Sequence, residues 1–103
     1  MGDRICMTFV RMNEYGTERS PVLYAHWDGM SLLDKAAEFW ELYHEEIRDE
    51  PSNFMVNFLN WLRNGRVEDG EYYLYRDEDS SCSPDDCGFW DFNTANGMFT
   101  KTQ

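Results

Sequence analysis

Three side chains able to accept or donate a proton stand within five positions: Tyr24, His26 and Asp28, in the stretch Tyr24-Ala25-His26-Trp27-Asp28-Gly29. An Asp that orients a His ring is the usual arrangement of a general base. Alternate residues of a strand share a face, so Tyr24 and His26 lie together, and Asp28 joins them if the strand persists. Neither Ser nor Cys stands in a nucleophile-elbow pattern such as Gly-x-Ser-x-Gly. Cys6 completes a Cys–His pair only if the fold carries it to His26. One reading is therefore an enzyme or ligand-binding domain using Tyr24, His26 and Asp28, with a concave pocket where a strand meets a helix. The plainer reading is architectural: Trp27 anchors the core, His26 makes one hydrogen bond, and Asp28-Gly29 turns the chain into the helix.

Metal-binding patterns are fragmentary. Cys82 and Cys87 form a Cys-x₄-Cys pair, but a structural zinc site needs four ligands, and Cys6, His26 and His44 are scattered. The pair is also close enough in sequence to form a disulfide under oxidation. Asp77, Asp79 and Ser81 place oxygens at positions 1, 3 and 5 of a calcium loop. Cys82 and Gly88 then stand where such a loop needs Gly and Glu. No metal and no cofactor is expected.

Charge is the strongest global signal. Twenty acidic residues against nine basic ones give a net charge of -11. Such a surface repels nucleic acid, because binding would add charge to a polyanion instead of releasing counterions. It favours a basic partner. Asp34, Glu38, Glu41 and Glu45 form an i, i+4, i+7, i+11 stripe, which on a helix spans ~16 Å with carboxylates about 5.5 Å apart. That is sparser than the phosphates of one DNA strand, ~3.4 Å apart along the axis. Glu46, Asp49, Glu50, Glu68, Asp69 and Glu71 would have to fill in for the stripe to copy a duplex.

The elements that must position these residues are legible from periodicity. Ile5 to Met12 reads as a strand with two partly apolar faces, as in the middle of a sheet. Asn13 to Ser20 reads as a polar connection, and Val22 to Trp27 as a second strand. Ser31 is the expected N-cap of a helix from Leu32 to Arg48, with Asp34 as an acidic variant of the capping box. Its apolar face is Leu33, Ala36, Ala37, Trp40, Tyr43, His44 and Ile47. Ser52 is expected to cap a second helix from Asn53 to Arg63, stopped by Gly65. Tyr72 to Tyr75, Cys87 to Asn93 and Met98 to Thr102 read as further strands. The aromatics Tyr72, Tyr73, Tyr75, Phe89, Trp90 and Phe92 suit core packing or a protein interface better than base stacking, given the acidic surroundings.

The expected fold is α+β in two layers. An antiparallel sheet of four to five strands carries two helices on one face, in the order ββααβββ. Residues 1–103 form a single domain. Aromatics make up 17% of the chain, which argues against disorder, since disordered acidic chains are poor in them. Three cysteines without an apolar leader, and no membrane-length apolar run, point to the cytoplasm.

Tyr24-Ala25-His26-Trp27-Asp28-Gly29 resembles the Tyr-x-His-Trp-Asp-Gly stretch of assorted small uncharacterised proteins of bacteria, archaea and their viruses, where it also precedes a helix. The resemblance covers these six positions and implies a viral or mobile-element provenance. In size and charge the chain also resembles anti-restriction and anti-CRISPR proteins. The leading expectation is a small non-enzymatic interaction protein. It would present Asp34, Glu38, Glu41 and Glu45 to a basic protein partner, such as a nucleic-acid-binding enzyme whose groove it occupies. It would bind neither nucleic acid nor membrane directly.

Overall fold

The computed structural model describes residues 3–67, 71–76 and 87–102. The chain runs β1 (Ile5–Asn13), β2 (Gly16–Arg19), β3 (Val22–Ala25), α1 (Ser31–Tyr43), α2 (Pro51–Arg63), β4 (Tyr72–Tyr75), β5 (Phe89–Asn93) and β6 (Phe99–Lys101). The architecture is α+β, with both helices packed on one face of an open six-stranded sheet. No helix among the described residues is long and apolar enough to cross a membrane.

The sheet is mixed rather than antiparallel. Its main path is β4-β3-β1-β5-β6, with β2 also paired to β1. β1 and β5 run parallel, Cys6 beside Phe89 through Val10 beside Asn93, while β1–β3, β3–β4 and β5–β6 are antiparallel. The expected order ββααβββ becomes βββααβββ because Gly16–Arg19 is a strand and not a connection. The Asn13 side chain accepts from the Tyr15 backbone N–H at 2.7 Å, and Gly16 takes φ 130°. This tight turn lets β2 fold straight back along the far half of β1. Nothing apolar marks the strand, and its residues are almost all exposed.

β2 and β3 lie on the same edge of β1, separated by a break at Ser20-Pro21. Proline cannot donate to the ladder. Buried Ser20 bridges the gap: its Oγ accepts from Phe9 N at 3.0 Å, and its own N donates to Phe9 O at 2.9 Å. With neighbours on both edges, β1 is buried continuously from Ile5 to Val10, as its two apolar faces predict.

The helix-covered face holds the main core: Ile5, Met7 and Phe9 of β1, Leu23 and Ala25 of β3, and Phe92 of β5. Phe9 is its centre, with ring centroids 5.2 Å from Phe54, 5.6 Å from Phe58 and 5.5 Å from Phe92. Phe39 brings α1 into the same cluster, 5.2 Å from Phe54. Large rings in tilted and edge-on contact supply much apolar burial from few residues, which suits so short a chain.

Both helices differ from expectation at their ends. α1 begins at Ser31, whose hydroxyl donates to Asp28 O at 2.6 Å instead of capping a helix N–H, and Met30 occupies the N-cap position. α1 ends at Tyr43, not Arg48. Glu46 N and Ile47 N both return to Tyr43 O, and Arg11 Nη1 holds Asp49 at 2.6 Å, so the chain turns toward α2. α2 starts two residues early because Pro51 fits the first helical position, where its missing N–H costs nothing. Glu50, not Ser52, is the cap, accepting from Asn53 N at 2.8 Å. Asn64, at φ 49°, ends the helix one residue ahead of Gly65.

Candidate functional site

The strand that carries Tyr24 stops at Ala25. His26 N still reaches Glu71 O at 3.0 Å, one step beyond the β3–β4 ladder. The chain then swings away. Gly29 takes φ 57° and donates to Asp3 O at 2.7 Å, and a Cβ there would lie 3.1 Å from the Asp3 side chain. Only glycine meets both demands without strain.

This early turn separates the three proton-active residues. Tyr24 Oη and His26 Nδ1 are 2.8 Å apart, on the sheet face away from the helices, where Tyr24 packs with Cys6, Val22, Tyr75 and Phe89. Asp28 does not orient His26. Its Oδ2 accepts from Tyr72 Oη at 2.7 Å, and Tyr72 packs against the helix-side core. Burial, and then the Asp28 carboxylate, push the Tyr72 phenol well above its usual range. Trp27 is 61% exposed, so it does not anchor the core as the plainer reading has it. Its ring instead meets His26 edge-on at 4.4 Å. His26 and Asp28 are both half-buried.

The remaining aromatics divide by strand alternation. Tyr72, Trp90 and Phe92 lie on the helix side, while Tyr75 and Phe89 lie on the other. Tyr73, 44% exposed, sits 5.7 Å from Tyr24. Tyr73, Tyr24 and His26 therefore form a run of rings on the face away from the helices, and Trp27 meets His26 beyond the end of the strand.

The acidic residues also divide. Asp34, Glu38 and Glu41 are exposed on α1, and no ion pair or hydrogen bond among the described residues engages their carboxylates. Glu45 is exposed but lies beyond the end of the helix, 4.0 Å from His44. The straight four-carboxylate stripe is thus three residues on α1 with Glu45 in the turn that follows. Exposed Leu42 flanks it. Two expected reinforcements serve the fold: Asp49 pairs with Arg11, and Glu50 caps α2. Glu46 is exposed, Glu71 is half-buried, and Glu68 and Asp69 lie outside the described residues.

Arg11 is the charged group that sequence reasoning missed. Its Nη2 donates to both carboxylate oxygens of Glu18 at 2.8 Å, while Nη1 holds Asp49. The hydrogen bond from Arg11 holds the Glu18 carboxyl below its usual range, and bonds to Glu18 and then Asp49 raise the guanidinium further. Only the unrecognised strand β2 brings Glu18 opposite Arg11, so no local signal exposed the pair. His44 stacks flat on Trp40, with ring centroids 3.8 Å apart, and Trp40 Nε1 donates to Thr94 O at 2.8 Å. Both are architectural.

Cys6 is disulfide-bonded and Cys87 is free. Cys87 therefore takes no part in the disulfide that its spacing from Cys82 allowed. Cys82 and the calcium-like segment Asp77–Ser81 lie outside the described residues. Among the described residues, no group of three His, Cys, Asp or Glu side chains could hold a metal ion. No family model, curated protein or solved structure matches the chain.

Proposed function

We propose that this chain is a small, non-enzymatic interaction protein of viral or mobile-element origin that binds a basic partner through the acidic face of α1. The observation that carries the reading is that Asp34, Glu38 and Glu41 are exposed and have no ion pair or hydrogen bond among the described residues, on a chain of net charge -11. Where carboxylates are needed for the fold, as at Glu18, Asp49 and Asp91, the chain supplies arginines. On α1 the one cation, Lys35, forms no ion pair with Asp34, Glu38 or Glu41 among the described residues, and a surface left with a net excess of negative charge steers a partner of opposite sign.

The partner class that fits is a nucleic-acid-binding enzyme, such as a CRISPR or restriction effector, whose basic groove the protein occupies. Cytoplasmic action belongs to that proposal. The Cys6 disulfide is the observation that weighs against it, because disulfides persist mainly in oxidising compartments.

The test is capture of the partner from host extract at low salt, followed by elution with duplex DNA. Release by DNA supports a shared groove. Retention under excess DNA refutes it.

An enzymatic or ligand-binding role for Tyr24, His26 and Asp28 is the second reading. The Tyr24–His26 hydrogen bond favours it. The engagement of Asp28 by Tyr72 removes the orienting carboxylate that a general base requires.

A further inference from the structure

Between the end of α1 and the second half of α2 runs a cleft of about 470 Å³, whose lining includes Phe39, Tyr43, Asn57, Asn60, Trp61 and Asn64. Its volume falls within the roughly 300–1,000 Å³ of small-ligand sites. In a chain of which 28% is charged, none of these residues carries a charge. The cleft combines aromatic rings with three carboxamides.

Much of its hydrogen-bonding capacity is unused. No hydrogen bond among the described residues engages the Tyr43 hydroxyl, the Trp61 indole N–H or the side chains of Asn60 and Asn64. Asn57 uses its amide hydrogens on Asn53, which leaves its carbonyl oxygen toward other partners. Two of the asparagines are also poor choices for a helix. Asn64 suits the left-handed conformation that ends α2, but Asn57 and Asn60 stand inside the helix, where Asn competes with the backbone for hydrogen bonds and ranks low in helix propensity. At those two positions neither solubility nor helix stability calls for Asn, since Glu, Lys or Gln would serve both better.

We infer that this cleft binds a neutral saccharide of one or two units. A carboxamide presents donor and acceptor side by side, which matches adjacent sugar hydroxyls that also do both. The electron-rich ring faces of Tyr43 and Trp61 suit the apolar C–H face of a pyranose. The uncharged lining selects against phosphorylated or acidic ligands, and the chain's net negative charge acts in the same direction. The site is independent of the acidic face, because Phe39 and Tyr43 lie on the core-facing side of α1, opposite Asp34, Glu38 and Glu41.

The test is a ¹H–¹⁵N NMR titration with maltose, cellobiose and N,N′-diacetylchitobiose. It predicts saturable shifts in the Trp61 indole and Asn60 amide signals with at least one of them, insensitive to added salt. Asn60→Ala should weaken that binding about tenfold, the loss of one to two hydrogen bonds, without lowering thermal stability, because Asn60 is exposed and Ala favours helix. Absence of saturable shifts with all three sugars overturns the inference. So does binding unchanged in Asn60→Ala, or a shift produced only by the neutral peptide N-acetyl-trialanine amide. A shift produced only by glucose 6-phosphate overturns it too, placing the ligand with Arg63 and Arg66 across Asn60.

Discussion

Tyr72 donates its phenolic hydrogen to Asp28 across 2.7 Å, joining the start of β4 to the turn that launches α1. Burial makes the phenol resist ionisation, and the Asp28 carboxylate held against it adds to that resistance. The folded-state pKa lies above the unfolded value of 10.0, so the stabilisation is complete below that pH. It is lost as pH rises, because the unfolded chain ionises first. Urea unfolding followed from neutral pH to above 10 should therefore show stability falling, with a shallower fall in Tyr72→Phe. At neutral pH, Tyr72→Phe should cost about 1.5–3 kcal/mol, the value of a hydrogen bond to a charged group.

At the acid end, Glu18 is the group to follow. Its pKa is depressed below 4.5 by the hydrogen bond from Arg11, so its contribution is present above that pH and is lost as pH falls through the folded value. Glu18→Gln should flatten this part of the stability profile in denaturant titrations. It should change little at high pH beyond the loss of a partly exposed ion pair.

Two glycines are predicted to tolerate no side chain. A Cβ at Gly97 would lie 2.7 Å from the Trp40 ring, which is fixed by its stack on His44 and its bond to Thr94. Gly29 combines φ 57° with the backbone bond to Asp3. Either Gly→Ala substitution should lower stability by about 1–3 kcal/mol, read as a shift in the urea midpoint. Gly16→Ala, with open space at its Cβ, is the comparison in which backbone strain acts alone.

Cys87 is free and Cys6 is disulfide-bonded. Of the two described cysteines, native protein should accordingly react at Cys87 and not at Cys6 in an alkylation and mass-spectrometry assay. Reduction in denaturant should expose Cys6 as well.

Much of the framework was legible in the sequence because alternation and helical spacing are local. Val22 and Tyr72 each open a strand as expected, β5 opens at Phe89 and not at Cys87, and the apolar spacing of Phe54, Met55 and Phe58 marks α2. The parallel pairing of β1 with β5 was not legible. It depends on where the chain re-enters the sheet after β4, and no residue of β5 records that. β2 was hidden because Gly16-Thr17-Glu18-Arg19 is polar on both faces. The site divides the same way. The acidic composition of α1 was visible, whereas the separation of His26 from Asp28 followed from the strand ending at Ala25 and from a partner, Tyr72, 44 positions away.

If Asp34, Glu38 and Glu41 form the partner-binding surface, the double variant Glu38→Lys/Glu41→Lys should lose the partner when capture is measured beside the unaltered protein across a salt series. Both side chains are exposed and have no partner among the described residues, so the fold should survive, as circular dichroism will report. The unaltered protein should retain a basic partner at low salt and release it as salt rises. Binding should be at least about tenfold weaker in the variant. Equal retention by both proteins, or capture that does not respond to salt, would contradict that role for the three carboxylates.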